Sequence, residues 1–284
     1  MKICACIVTS MKVDLVPAVN SLLPQFDEIL LVGDQGAPTK AMALFHRWES
    51  PNYADKVKLL YCDKPQQSYK RLLAAQSTTA EVIFYMDDDA MADAQVCREI
   101  AAVFSDDGIG IVSGPSLLPA NASLWLHTAQ MAVANNPKSG PRYARHAFAD
   151  DVASGRIIGC NMAVRRQAFA NFNPNLLPSY GEEWALAEHV RAQGFRIAYN
   201  PDQIVYHAPH GFIVHSRQVY RWGKTSRVTE AGKIDGAILL YPVVQAWFGL
   251  LWGLGRLVAG LSRQRNLPGA TPSNNAPEST GRTS

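Results

Sequence analysis

Three consecutive aspartates, Asp87, Asp88 and Asp89, close the apolar run Val82-Ile83-Phe84-Tyr85-Met86. Like charges at one strand end repel each other unless a cation gathers them, and a divalent ion bridging carboxylates to a phosphate fits that need. In an extended segment alternate side chains share a direction, so Asp87 and Asp89 can converge on one object while Asp88 faces elsewhere. A solvated acidic turn is the competing reading, since aspartate is a favoured turn residue.

Acids of this kind need a scaffold, and the chain before them supplies one. Ile3 to Thr9 is an apolar run, followed by helically spaced Leu15, Val19, Leu22 and Leu23. Ile29 to Val32 is a second buried strand, Val57 to Tyr61 a third run, and Ser68 to Gln76 reads as a helix leading into Val82 to Met86. Strands and helices alternating at this length predict an α/β fold, a mostly parallel sheet covered on both faces. Ligands bind such sheets beyond the carboxyl ends of the strands, where Thr9, Asp34 and the three aspartates fall.

Ordered together, these segments resemble family 2 glycosyltransferases of the GT-A fold. The resemblance rests on Ile7-Val8-Thr9-Ser10, on Ser21 to Gln25 leading into Asp27 to Asp34, on Arg71, and on the aspartate cluster standing for the family's DxD motif. It continues through Gly159-Cys160-Asn161-Met162-Ala163-Val164-Arg165-Arg166, similar to a G-x-N-x-A-x-R-R segment, then Gly181-Glu182-Glu183-Trp184 and Val205-Tyr206-His207. It implies a Rossmann-like GT-A domain over residues 1–230, a nucleoside diphosphate sugar donor, and Mn²⁺ or Mg²⁺ as cofactor. It further implies that Asp89, with Asp87, holds the metal, that Asp87 and Asp88 lie near ribose and base, and that Thr9, Asp34 and Arg71 serve the donor. Two departures stand out: Gly33 replaces the first acid of the usual Asp-Asp pair, and Glu182-Glu183 stands where Glu-Asp is common.

The chemistry asks for these residue types. Departure of a diphosphate builds negative charge that a divalent cation stabilises, and hard cations take oxygen ligands. His207, at the end of a short strand, can complete the coordination or be merely hydrogen-bonded; His210 is its competitor. The acceptor hydroxyl needs a base, and Glu183 is assigned that role. Glu182, beside it, is a second catalytic candidate and also fits a capping box begun by Ser179, with Gly194 as the stop of the helix.

Further along, Gln218-Val219-Tyr220-Arg221-Trp222 looks like the QxxRW pattern of processive synthases, which brings Arg221 and Trp222 to the donor and acceptor; a membrane-surface contact is the alternative. Gly236 to Gly255 carries no charged side chain. Twenty such residues could cross a hydrocarbon core of roughly 30 Å, so residues 231–262 read as a C-terminal apolar helix attached to a membrane, with a docked helix as the rival. Residues 263–284, rich in Pro, Ser, Asn and Thr, are expected to be disordered.

Composition bounds the rest. The chain has 284 residues, 48% hydrophobic, enough for one large domain with an appendage. A net charge of +3 does not argue for nucleic-acid binding. Five cysteines without a CxxC pair indicate a reducing compartment, and the first strand beginning at residue 3 leaves no room for a signal peptide, so the cytoplasmic face of a membrane is expected. With these bounds, the resemblance implies an inverting, metal-dependent hexosyltransferase acting on a lipid-linked or membrane-proximal glycan in polysaccharide biosynthesis. A nucleotidyltransferase of similar topology and a silent sugar-nucleotide-binding membrane scaffold are the alternatives.

Overall fold

A computed structural model of the chain describes residues 1–11, 13–37, 45–119, 122, 157–174 and 182–207, together with residues 246, 247, 250 and 254. In chain order the elements are β1 (Ile3–Val8), α1 (Val16–Leu22), β2 (Ile29–Asp34), β3 (Val57–Cys62), α2 (Gln67–Ser77), β4 (Val82–Asp87), β5 (Ala90–Ala92) and α3 (Val96–Val103). They continue with β6 (Ile109–Ser113), β7 (Ser116–Leu117), β8 (Asn161–Arg165), α4 (Glu182–Ala192), β9 (Arg196–Tyr199) and β10 (Val205–His207).

A seven-stranded sheet runs in the order β3-β2-β1-β4-β8-β6-β9, and a three-stranded sheet in the order β5-β10-β7. In the large sheet β3, β2, β1 and β4 are mutually parallel, β8 runs antiparallel to both β4 and β6, and β6 and β9 are parallel. The α/β, mostly parallel reading of the sequence therefore holds. Strands in such a sheet bury both faces, which is why β1 is apolar throughout instead of alternating. Ile3, Ala5 and Ile7 join Phe26 and Phe84 on one side, whereas Cys4, Cys6 and Val8 join Ala74 and Tyr85 on the other. Phe26 and Phe84 stack with ring centroids 5.8 Å apart. Cys4 and Cys6 thus act as small core residues.

Register brings the polar strand ends together. Val8 pairs with both Val32 and Asp87, and Asp34 pairs with Cys62, so Thr9, Asp34 and Asp87 share one edge of the sheet. In the small sheet His207 pairs with Ala90, directly after the aspartates. Asn161 fixes the junction between the sheets: its amide donates to the carbonyls of Pro115 at 2.8 Å and Gln203 at 2.7 Å, and its oxygen accepts from Gln203 Nε2 at 2.8 Å. Helix α4 stops where Gly194 takes a φ of +85°, a conformation that a Cβ would strain.

Among the described residues no helix is long and apolar enough to cross a membrane. The expected apolar helix of residues 236–255 lies almost wholly outside the described residues, as does the tail. Trp247, Leu250 and Leu254 are helical and exposed, at a spacing that sets them on one helical face.

Candidate active site

Asp87, Asp89 and His207 each bring one ligand atom into a group in which all atoms lie within 4.8 Å of one another. His207 Nε2 is 2.9 Å from Asp89 Oδ1. Strand β4 ends at Asp87, and in the turn that follows Asp88 points away and accepts a 2.6 Å hydrogen bond from the Thr9 hydroxyl, which itself accepts the Met11 N–H at 2.8 Å.

The electrostatics of this corner are unbalanced. Burial pushes the Asp87 carboxyl up to about 6, against the pull of His207 and Arg71 and with the help of its two neighbouring aspartates. Asp88 is also raised by burial, with the Thr9 hydrogen bond holding it back. Burial disfavours a charged His207, yet hydrogen bonds to Asp89 and Cys160 outweigh it and push the imidazole up to about 11. Two carboxylates and an imidazole at this spacing could hold Mn²⁺ or Mg²⁺, to which His207 would bind as the neutral imidazole.

A second cluster lies beside the first. Arg71, buried on α2, donates from Nη1 to Glu182 Oε1 at 2.8 Å and approaches Glu183 Oε1 from Nη2 at 3.5 Å. Burial opposes its charge, and Glu183, Glu182 and Asp87 together outweigh that cost and raise its pKa. Tyr85 supports it from β4: the hydroxyl donates to the Arg71 carbonyl at 2.8 Å and the ring lies 6.0 Å below the guanidinium. Glu182 is therefore an ion-pair partner of Arg71. A buried guanidinium demands a near anion, and the Glu182 carboxylate goes there; Ser179, the other half of the capping box expected from sequence, lies outside the described residues, as does Gly181. Glu182 is raised by burial and by Glu183, against Arg71. Gly159 makes room for the cluster, since a Cβ there would sit 2.1 Å from Glu183 Oε1.

The third group joins β1 to β2. Lys70, also buried on α2, donates to the Thr9 carbonyl at 2.6 Å and places its ammonium 2.7 Å from Asp34 Oδ1. That oxygen is inaccessible to solvent and takes no directed hydrogen bond, so the ammonium charge alone holds it. Gly33 also has a physical reason. Met11, with a φ of 58°, packs its methyl into the space beside Gly33, where a Cβ would be 1.9 Å away.

Of the residues proposed from sequence, Thr9, Asp34, Arg71, Asp87, Asp88, Asp89, Glu182, Glu183 and His207 converge on one edge of the sheet. Arg221, Trp222 and His210 lie outside the described residues. Lys70, Tyr85 and Cys160 were not foreseen as part of the site; two adjacent cations, Lys70 and Arg71, facing three acidic strand ends were the available signal.

The sequence profile of glycosyl transferase family 2 matches residues 6–172. No curated protein matches the chain. Among solved structures, the mannosyltransferase PcManGT from Pyrobaculum calidifontis, in complex with GDP-Man and Mn²⁺, superposes with a TM-score of 0.60 at 13% identity, covering 92% of this chain and 75% of that one. TarS residues 1–349 of S. aureus, in complex with UDP-GlcNAc, reaches a TM-score of 0.50 at 13% identity, covering 88% and 72%. At such identity the likeness is one of fold.

Proposed function

The chain belongs to glycosyl transferase family 2 and is a glycosyltransferase, and we propose that it moves a sugar from a nucleoside diphosphate donor to a hydroxyl by a single, inverting displacement with Mn²⁺ or Mg²⁺ bound. The observation that carries this reading is the convergence of Asp87, Asp89 and His207 within 4.8 Å of one another beside the clamped pair Glu182 and Glu183. A divalent cation bound there screens the charge that grows on the departing diphosphate. Asp87, Asp89 and His207 would hold it, and Asp88 is fixed by Thr9 on the ribose side.

Glu183 is the base. Its contact with Arg71 runs through Oε1, which leaves Oε2 to take the acceptor proton. Arg71 is a positioning residue, and Glu182 takes its shorter ion pair so that Glu183 is anchored without being fully engaged. The acceptor we propose is a lipid-linked or membrane-proximal glycan at the cytoplasmic face. The uncharged stretch Gly236 to Gly255 and the exposed Trp247, Leu250 and Leu254 support it.

Calorimetric titration with a nucleoside diphosphate, with and without Mn²⁺, tests the metal assignment. Binding should be metal-dependent in the native chain and lose that dependence in Asp89→Ala at unchanged melting temperature. Unchanged metal-dependent affinity in the variant rejects the assignment.

A further inference from the structure

The family pattern at the end of β2 offers two acids, and this chain offers one, half of which is already engaged. Asp34 is 27% exposed, yet its Oδ1 is sealed from solvent beneath the Lys70 ammonium, 2.7 Å away. The exposure therefore belongs to the other side of the carboxylate, and Oδ2 is the oxygen that faces the crevice. Gly33 contributes no side chain, and the Met11 methyl fills the place one would take. Asp63, one residue past β3, is solvent-exposed.

We propose that Lys70 selects the base of the donor: by holding Asp34 Oδ1 it leaves a single carboxylate acceptor, which matches the one imino N–H of uracil or thymine and not the paired donors of guanine. The inference rests on the donor reading above and takes Asp34, which the family resemblance brings to the donor, as the residue that meets the base. Guanine presents N1–H and the N2 amine side by side, and a carboxylate receives both only when both of its oxygens are free. Here the second donor would be desolvated without an acceptor, and its oxygen would have to leave a buried ammonium. An unpaired donor of this kind weakens binding by about tenfold to a hundredfold. Uracil and thymine present one N–H at N3 and lose nothing. Cytosine has an acceptor at N3, which would face the Oδ2 lone pairs.

The same tie predicts a change of preference. In Asp34→Asn the ammonium must attract the amide oxygen, so the amide NH2 turns to the crevice and a donor replaces the acceptor. That edge complements cytosine N3 and opposes uracil N3–H. Lys70→Met, similar in length and apolar, should instead free both oxygens of Asp34 and shrink the discrimination against guanine.

The test is calorimetric titration of the full chain with UDP, TDP, GDP and CDP in the presence of Mn²⁺. UDP and TDP should bind native protein at least about tenfold more tightly than GDP or CDP, and Asp34→Asn should bind CDP more tightly than UDP. GDP binding as tightly as UDP overturns the inference and leaves the donor reading standing, as does an Asp34→Asn variant that weakens all four ligands equally. Failure of all four to bind native protein sinks the donor reading itself. Asp34→Asn is isosteric, so the test stands even if Lys70→Met does not fold.

Discussion

The two edges of the large sheet each hold an acid out of the bulk solvent, Glu28 buried and Asp87 partly so, and they treat it in opposite ways. At the amino-terminal edge Glu28, 4% exposed, receives Lys2 at 2.8 Å, Lys58 at 2.7 Å and the Thr78 hydroxyl at 3.0 Å. Burial alone would raise its carboxyl, but these partners prevail and hold it below the usual carboxylate range. At the carboxyl-terminal edge Asp87 is left with its pKa raised to about 6. One acid is neutralised by direct ion pairs, and the other stands in the proposed metal corner, where the charges of His207 and Arg71 offset its burial only in part. The contrast sets an acid held for folding against one proposed for binding.

The largest effect should come from the binding edge. Glu183→Gln keeps size and hydrogen bonding but cannot take a proton, so donor affinity should persist while transfer falls by roughly a hundredfold to ten-thousandfold, measured as initial rate at saturating donor. A nearly active variant would place the base elsewhere. Next comes the folding edge. Glu28→Gln retains the shape and loses the charge that Lys2 and Lys58 address, which should cost about 2 kcal/mol in denaturant unfolding while activity per folded molecule stays the same. A loss of activity without loss of stability would erase the distinction between the edges.

The smallest effect is the sharpest test, because its sign is unusual. Raising the folded pKa of Asp87 means that the unfolded chain ionises first, so metal-free stability falls as pH climbs from about 4 to about 6 and the penalty is constant above that. Asp87→Asn should therefore raise the metal-free unfolding free energy at pH 7 by about 1 to 2 kcal/mol, with no gain below pH 4. Glu28 has the reverse sign: its lowered pKa stabilises above the unfolded value and that contribution vanishes as pH drops through the folded one. Unfolding curves of both variants across pH 3 to 8 should diverge. Parallel curves would show that the two acids are alike after all.

How much of this was legible beforehand follows from the kind of signal involved. Strands β1, β2 and β4 are mostly apolar runs, and their limits in the structure differ from the sequence reading by one or two residues. The convergence of Asp87 and Asp89, with Asp88 apart, matches the expectation from strand alternation, although the strand stops at Asp87 and the turn over Asp88 and Asp89 makes the arrangement. The small sheet was not readable, since Ala90-Met91-Ala92 is three residues directly behind an acidic turn and carries no period of its own. The reversal of β8 was equally hidden, because Met162-Ala163-Val164 reads the same whichever way its neighbours run. Lys70 escaped for an energetic reason: a lysine on a helix is ordinarily solvated, and only the three-dimensional placement of Thr9 and Asp34 makes its burial tolerable.

Strand β8 runs against its neighbours, so its first residue, Asn161, stands opposite Met86 at the crevice. The two residues just ahead of it are thereby delivered to different tasks: Gly159 gives Glu183 its room, and Cys160 meets His207. Adjacent codons therefore encode parts of both the proposed base and the proposed metal corner, with the Asn161 junction between sheets immediately following. Substitutions along this tripeptide should be epistatic, since a shift of the backbone at one residue moves the other two. The proposed base and the proposed metal corner are thereby coupled mechanically through three consecutive residues.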